Sequence, residues 1–385
     1  MPRLLALTTS QEDGGAEWHL RMMLAAAAAR GFELTVALPG IDATRGLRED
    51  LRARGARVLA RPLGRQPTST AAAIAALAAD AIDAGRTVAR VRPDAILLVL
   101  PAPEASPGAM LACTLTRVPT LVFFELVRSD LAVNPRRRGL YRLLARSSQH
   151  WVCGSRNNAG TLAHAFGVPA ERIAVIYNGT PSPAAVEPGR RERVRATLGL
   201  EPGATLVLTT ARLAVQKDHA VIVAALPRLV ALDPGLVFAW AGDGPARAEL
   251  ERMLEATGVG DHVRVLGRRD DVGDLLAAAD LFLLPSRDEG GAAFALLEAF
   301  AAGVPAIVSD AGALREIVRD GENGLLFATH DADALVRVLG WALEHREQVA
   351  AMAARAAEQA RSEYSAEAML AALLALLDPG RAPLT

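Results

Sequence analysis

Short, predominantly apolar runs alternate with alanine-rich stretches along this chain, in two successive series. In the first, residues 4–8, 34–38, 95–100, 120–124, 151–153 and 173–177 read as strands. Continuous rather than alternating hydrophobicity marks a strand buried on both faces, as in a parallel sheet covered by helices. Residues 178–195, rich in proline, glycine and arginine, then break the pattern and read as a linker. The second series places strands at 205–210, 236–241, 262–266, 281–285, 305–309 and 324–327. At 385 residues the chain exceeds what one core usually organises. The expected fold is α/β: two Rossmann-like doubly wound lobes facing each other across a cleft, residues 1–180 and 196–362, joined by 181–195. Residues 363–385 form a last segment whose stretch 366–377 is too apolar for a free tail, so it should dock.

In such folds ligands sit beyond the carboxyl ends of strands. Three segments there carry chemistry. The first is the strand 205–210 running into Ala211, Arg212 and, five residues on, Lys217, before a helix expected over 218–230. Two cations beside a helix N-terminus suit a diphosphate and need no metal. Of the 42 lysines and arginines, Lys217 is the only lysine. A compact ammonium is not interchangeable with a planar guanidinium, which weighs against the plain alternative of two solvated loop charges. The second segment follows strand 281–285: Asp288, Glu289, Gly290, Gly291, Ala292 and Ala293, then Leu297 and Glu298 on a helix. Glycines admit a ligand close to backbone N–H groups, and carboxylates accept paired hydroxyls. Glu298 could be an ordinary surface residue, but its apolar neighbours point to partial burial. The third is Gln11-Glu12-Asp13-Gly14-Gly15-Ala16-Glu17 after the first strand, where Gly-Gly alone more often marks only a turn.

Other chemistries are excluded by spelling. There is no G-x-G-x-x-G, Lys217 follows Gln216 rather than the glycine of a P-loop, and the seven histidines form no metal-binding spacing. Asp331-Ala332-Asp333 has the form of a cation-binding D-x-D, yet Asp331 opens a helix and reads as its N-cap. Cys113 and Cys153 lie in apolar surroundings, as reduced packing residues do. No apolar stretch reaches the length of a bilayer span, and the apolar start of the chain is too short for a secretory signal, so a soluble cytoplasmic protein is expected. With 42 basic against 43 acidic residues there is no overall field to draw in nucleic acid.

The ordered series T-A-R-L-A-V-Q-K (210–217), A-G-D-G-P (241–245), R-V-L-G (264–267), D-D-V-G-D-L-L-A-A-A-D-L-F-L-L-P-S (270–286) and L-L-E-A-F-A-A-G-V-P (296–305) resembles glycosyltransferase family 4 over nearly the whole chain. G-G-A-E (14–17), G-S-R-N-N (154–158) and V-I-Y-N-G (175–179) resemble the family's first loop, interdomain edge and linker entry. The resemblance implies a GT-B fold and a retaining, metal-independent transfer of sugar from a nucleoside-diphosphate donor, with no cofactor. The first lobe would take the acceptor, the second the donor, and the final helix would cross back to the first. Arg212 and Lys217 would hold the diphosphate and Glu298 the ribose. Glu289 and the backbone around Gly290, Gly291, Ala292 and Ala293 would meet the sugar, Val265 and Leu266 the base, and Gly14, Gly15, Gly242 and Leu297 would complete the donor site.

The chain departs from the family in particular places. Eight residues separate Glu289 from Glu298 where the family has seven, so either the loop carries an insertion or Gly290 occupies the first glutamate's position. Ala211 stands where glycine precedes the arginine and Asp218 where glycine follows the lysine. Glu125 follows the strand 120–124 where members often carry a histidine that contacts the donor sugar. These departures keep open a catalytically weakened nucleotide-sugar-binding protein, and a phosphorylase or epimerase of the same fold. The acceptor is expected to be a glycan, a small molecule, or a lipid-linked or cell-surface polysaccharide precursor. Arg136, Arg137, Arg138, Arg142 and Arg146, with Leu140, Tyr141, Leu143 and Leu144, form either a solvated helix face or a peripheral contact to the anionic inner face of a membrane.

Overall fold

The computed structural model describes residues 1–11, 14–65, 70–147, 149–183, 187–291 and 293–377. It divides into two compact units, the first Met1–Tyr177 with Met369–Thr385, the second Asn178–Ala368.

The strands of the first unit are β1 (Arg3–Thr8), β2 (Glu33–Leu38), β3 (Arg57–Ala60), β4 (Ala95–Leu100), β5 (Thr120–Phe124), β6 (Gln149–Cys153) and β7 (Ile173–Val175). Between them run α1 (Gly15–Ala29), α2 (Arg45–Ala53), α3 (Thr70–Val91), α4 (Pro107–Thr116), α5 (Pro135–Leu144) and α6 (Arg156–Phe166). All the strands pair in parallel, in the order β3-β2-β1-β4-β5-β6-β7. Alternate residues of each strand feed opposite faces, as the period of two demands. Leu5, Leu7, Ile96, Leu98, Val122 and Phe124 join one core with α4, α5 and α6. Leu4, Ala6, Leu97, Val99, Leu121 and Phe123 join the other with α1 and α2. β3 escaped the sequence reading because it is a half-exposed edge strand that begins on an arginine, so it carries no continuous apolar run.

Four aromatic rings anchor the first of these cores. Tyr141 stacks on Phe166 at 3.7 Å and 8°, and Trp151 and Phe124 meet them edge-on. Tyr141 and Leu144 are therefore fully buried, which corrects the expectation that they belong to a lipid-facing surface. The amphipathic pattern of α5 reads equally as a core-facing stripe, and the core took it. Of the apolar residues named with it, Leu143 stays exposed.

The second unit contains β8 (Thr205–Thr210), β9 (Leu236–Ala241), β10 (Val263–Gly267), β11 (Leu281–Leu284), β12 (Ala306–Ser309) and β13 (Leu325–Phe327). Its helices are α7 (Arg190–Thr197), α8 (His219–Leu232), α9 (Arg247–Thr257), α10 (Val272–Ala278), α11 (Phe294–Ala301), α12 (Leu314–Ile317), α13 (Ala332–Glu344) and α14 (Arg346–Glu363), and α15 (Ala366–Ala375) follows. The sheet is again parallel, in the order β10-β9-β8-β11-β12-β13. Asp331 caps α13, its carboxylate accepting from Ala334 N at 2.9 Å.

Residues 190–195, expected to belong to a linker, start α7 instead. The helix buries none of its residues and is held by charge. Arg190 pairs with Asp274 at 2.6 Å, and Arg195 Nη1 donates to Asp280 Oδ2 at 2.9 Å. Arg191 Nη1 donates to the carbonyls of Ala278 and Ala279 at 3.0 Å. Asp280 Oδ2 also accepts from Leu206 N at 2.7 Å, so α7 is tied to the start of β8.

The second unit also holds both passages of the chain to the first. Thr180 N donates to the Tyr364 carbonyl at 2.9 Å and Ala366 N to the Thr180 carbonyl at 3.0 Å. From Met369 onward the chain returns to the first unit, where Met369, Leu373, Leu374, Leu376 and Leu377 are buried with α1 and α2. The apolar stretch 366–377 thus docks as its composition demanded.

Truncating Phe166 to alanine removes a ring from the centre of the aromatic group. Phe166→Ala should cost about 3–5 kcal/mol of first-unit stability. Hydrogen exchange should show faster opening of first-unit strand amides and unchanged protection in β8 to β13.

Candidate functional site

In each sheet the strand order reverses between its first and fourth strands, which leaves a crevice at their carboxyl ends. In the second unit those strands are β8 and β11. The loops that follow them hold Arg212 and Lys217, and Glu289, Gly290, Gly291 and Ala293, respectively. Both candidate segments read from the sequence therefore converge at the switch point of one sheet.

The loop after β8 is shaped by glycines on β9's exit. A Cβ on Gly242 would lie 1.9 Å from the Ala211 carbonyl, and one on Gly244 2.4 Å from that of Leu213. Their absence lets Ala211 N donate to Ala241 O and Leu213 N to Asp243 O, both at 3.1 Å. Arg212 is held between these bonds and is exposed. Gly242 N donates to Gly267 O at 2.8 Å, at the end of β10, where the register breaks after Val265. This places Val265 and Leu266, both partly buried, beside the same loop.

Lys217 and Glu289 meet. Lys217 Nζ forms an ion pair with Glu289 Oε1, and Ser286 Oγ donates to the same oxygen. Glu289 is 6% exposed, so the pair is shielded from solvent. Gln216 Nε2 donates to the Asp288 carbonyl and Arg287 N to the Gln216 carbonyl, both at 2.8 Å, so the two loops are joined through their backbones as well.

Asp218 explains its own departure from glycine. Its φ of 47° is left-handed, a conformation aspartate tolerates better than most residues. Its buried carboxylate takes Arg287 Nη2 at 2.9 Å and His330 Nδ1 at 2.7 Å. The side chain thus fastens the loops after β8 and β11 where a glycine could not. His219, the first residue of α8, lies behind it against Trp240 at 4.9 Å. Burial, and then the Lys217 charge, lower its pKa to about 4, so it is a neutral ring rather than a third cation.

Glu298 lies on α11, half-buried between buried Leu297 and Ala299. Desolvation raises its carboxyl to about 7, and among the described residues no hydrogen bond or cation offsets it. A carboxylate in that condition gains most from an external hydroxyl donor. Ala292 lies outside the described residues, as do Glu12 and Asp13.

The first unit carries a polar group of its own, which the sequence did not disclose. Gly14 begins α1, and its N–H donates to Glu17 Oε2 at 2.7 Å, while Ser10 Oγ donates to Glu17 Oε1. Gly14 and Gly15 are exposed. Burial pushes the Glu17 carboxyl up, and the charge of Glu125 adds to the rise. Glu125, just past β5, pairs at 2.9 Å with Nδ1 of His19, which is fully buried edge-on to Phe123. Where the family often has a histidine, this chain has a carboxylate backed by an imidazole from α1. The only signal was the polar residues Glu17 and His19, which with Arg21 open a helix that is apolar from Met22 onward.

The chain matches the family described as Glycosyltransferase Family 4 over residues 13–182, and that described as Glycosyl transferases group 1 over 190–361. It is 31% identical over 235 residues to D-inositol 3-phosphate glycosyltransferase of Rhodococcus opacus, covering 58% of this chain and 52% of that protein. It is 28% identical over 276 residues to the lipopolysaccharide core biosynthesis mannosyltransferase LpsB of Rhizobium meliloti, 68% of this chain and 76% of that one. The chain spans about half the length of the first curated relatives it matches. Among solved structures, HepE of Anabaena in complex with UDP-glucose superimposes with a TM-score of 0.77 at 22% identity, covering 97% of this chain and 99% of that one. That likeness establishes the fold.

The raised Glu298 pKa has a definite sign for stability. The folded value of about 7 lies above the ordinary 4.5, so the unfolded chain gives up this proton first as pH rises. Folding is therefore penalised increasingly from about pH 4.5 to 7, and constantly above. Glu298→Gln should be the more stable protein at pH 8, by on the order of 2 kcal/mol, and gain nothing at pH 4. Urea midpoints of both proteins at the two pH values check this; a gain independent of pH would contradict the assignment.

Proposed function

The chain belongs to glycosyltransferase family 4, the group 1 glycosyl transferases of GT-B fold, and from that premise we propose that it transfers a sugar from a nucleoside-diphosphate donor to an acceptor hydroxyl with retention of anomeric configuration. The observation that carries this reading is the pairing of Lys217 with Glu289, on the loops after β8 and β11, with Glu298 on the helix that follows the second loop and without a side-chain partner among the described residues. Arg212 and Lys217 provide two cations for a diphosphate, and Glu298 a carboxylate for ribose hydroxyls. A diphosphate arriving beside Arg212 offers Lys217 a stronger counter-ion than Glu289. The released Glu289 then accepts hydroxyls of the sugar, with the backbone at Gly290, Gly291 and Ala293 alongside.

In this reaction the bond between the anomeric carbon and the leaving phosphate oxygen breaks, and the acceptor oxygen bonds to that carbon from the same face. The acceptor proton passes to the departing diphosphate. The protein stabilises the charge that develops on the leaving group and orients both reactants. With the leaving charge met by Arg212 and Lys217, we read the reaction as needing no metal or cofactor. Relatives named for lipopolysaccharide core and inositol phosphate glycosylation support an acceptor from polysaccharide or glycolipid synthesis. The unneutralised arginines of α5 support presentation of a lipid-linked acceptor at the inner face of a membrane. No helix of the described residues is long and apolar enough to cross one.

Screening UDP-, GDP- and ADP-sugars for release of nucleoside diphosphate identifies the donor, and NMR of the product gives its anomeric configuration. Lys217→Ala should lower kcat/KM by about 10²–10³ while leaving the fold intact, and EDTA should leave turnover unchanged. Unchanged kinetics in Lys217→Ala would remove the diphosphate clasp. Nucleotide-sugar binding without turnover by the native chain would establish instead the binding protein that the replacement of a histidine by Glu125 also allows.

A further inference from the structure

A cavity of about 560 Å³ in the first unit is lined by Arg142, Arg146 and Arg172 over a floor of Ala145, Val168 and Pro169. It lies where α5 leads into β6 and α6 into β7, at the amino ends of those strands. That is the rim opposite the one where Glu125 follows β5, so the cavity is no part of the sites described above.

Its arginines are positioned by the backbone. Arg142 Nε donates to the Gly167 carbonyl and Arg172 Nε to that of Ala145, both at 2.9 Å, and Arg138 Nη2 donates to the His164 carbonyl. Those carbonyls lie at the C-terminal ends of α5 and α6, where cations complement the helix dipoles. Capping accounts for where these side chains are held, but not for the charge left over. A guanidinium has five N–H donors; Arg142 Nε is spent on Gly167 and Arg138 Nη2 on His164, while Arg172 turns both Nε and Nη2 to the Ala145 and Ser147 carbonyls. Arg138, Arg142 and Arg146 form no ion pair with a carboxylate among the described residues, Arg138 Nε is buried without an acceptor, and no carboxylate lines the cavity. Gly167 has φ +67°, and a Cβ there would lie 2.9 Å from Arg142 Nη2 and 3.0 Å from Arg138 Nε. Glycine at this turn lets two like charges rest against the same backbone.

We propose that this cavity is a binding site for the phosphate or diphosphate group of a phosphate ester. Arg138, Arg142 and Arg146 stand close together with no carboxylate counter-ion among the described residues, a cost that an incoming dianion returns, and guanidinium forks match phosphoryl oxygens in pairs. The volume falls within the range of small-molecule sites and exceeds what inorganic phosphate fills, and Ala145, Val168 and Pro169 offer apolar surface to the ester's carbon part. The ester is either a soluble sugar phosphate or the headgroup of an anionic lipid. The proposal does not depend on the transfer reaction proposed above.

The test uses the full chain carrying Lys217→Ala, so that the second unit's phosphate clasp does not report. Calorimetry with pyrophosphate and glucose 1-phosphate is set beside sedimentation with vesicles of phosphatidic acid in phosphatidylcholine and of phosphatidylcholine alone. The expected result is saturable binding of a soluble ester, or retention on the phosphatidic acid vesicles only, weakened about tenfold or more by Arg146→Glu and by Arg142→Gln. Arg136→Glu, an equal charge change outside the cavity, should leave it unaltered. Soluble binding assigns the free ester, and vesicle retention without it the lipid headgroup. The proposal is overturned if no phosphate ester binds, or if Arg136→Glu weakens binding as much as Arg146→Glu does.

Discussion

A parallel sheet covered by helices on both faces leaves no place along its strands for groups that need water, and the rest of this molecule follows from that constraint. Leu4 through Leu7 and Leu97 through Val99 send alternate side chains into two different cores, and both are dry. Ionisable side chains are thereby driven to the strand ends, where loops must satisfy them. At the carboxyl ends this gathers Glu17, His19 and Glu125 in one unit and Lys217, Glu289 and Glu298 in the other. At the amino ends of β6 and β7 it gathers arginines around helix termini.

Within the second unit the electrostatics divide into satisfied and unsatisfied groups. Asp218 spends its carboxylate on Arg287 and His330 and so welds two loops. Lys217 and Glu289 satisfy each other under cover. Glu298 has nothing to satisfy it, and its carboxyl is raised to about 7 accordingly. A functional group is most recognisable where the fold has declined to neutralise it. The lone lysine is the opposite case, its compact ammonium sharing a shielded carboxylate oxygen with Ser286 Oγ.

What the sequence disclosed depended on how local each signal was. Doubly buried strands such as β4 and β8 announce themselves because every residue is buried and none is charged, whereas the edge strand β3 has no such demand on it. Arg212, Lys217 and Glu298 were legible because loop and helix signals flank them within a few positions. The pairing of His19 with Glu125 spans 106 residues and leaves no trace in spacing. The arginine cavity joins residues 142, 146, 167 and 172 through tertiary contact, and only the excess of arginine in α5 hinted at it. Tyr141 and Leu144 were open to two readings because one amphipathic pattern serves a core and a lipid surface alike. Asp218 looked like a simple departure until its left-handed backbone and two partners showed what it gains over glycine.

The first unit is not contiguous in sequence. Its core beneath α1 and α2 is closed by Met369, Leu373, Leu374, Leu376 and Leu377, and the whole of Asn178–Ala368 is inserted between these residues and the rest. A nascent chain leaving the ribosome therefore presents β1 to β7 first but cannot seal them until residues 369–377 have followed. The intervening unit, continuous along the chain, has everything it needs earlier. The unit that is begun first is thus completed after the one inserted into it.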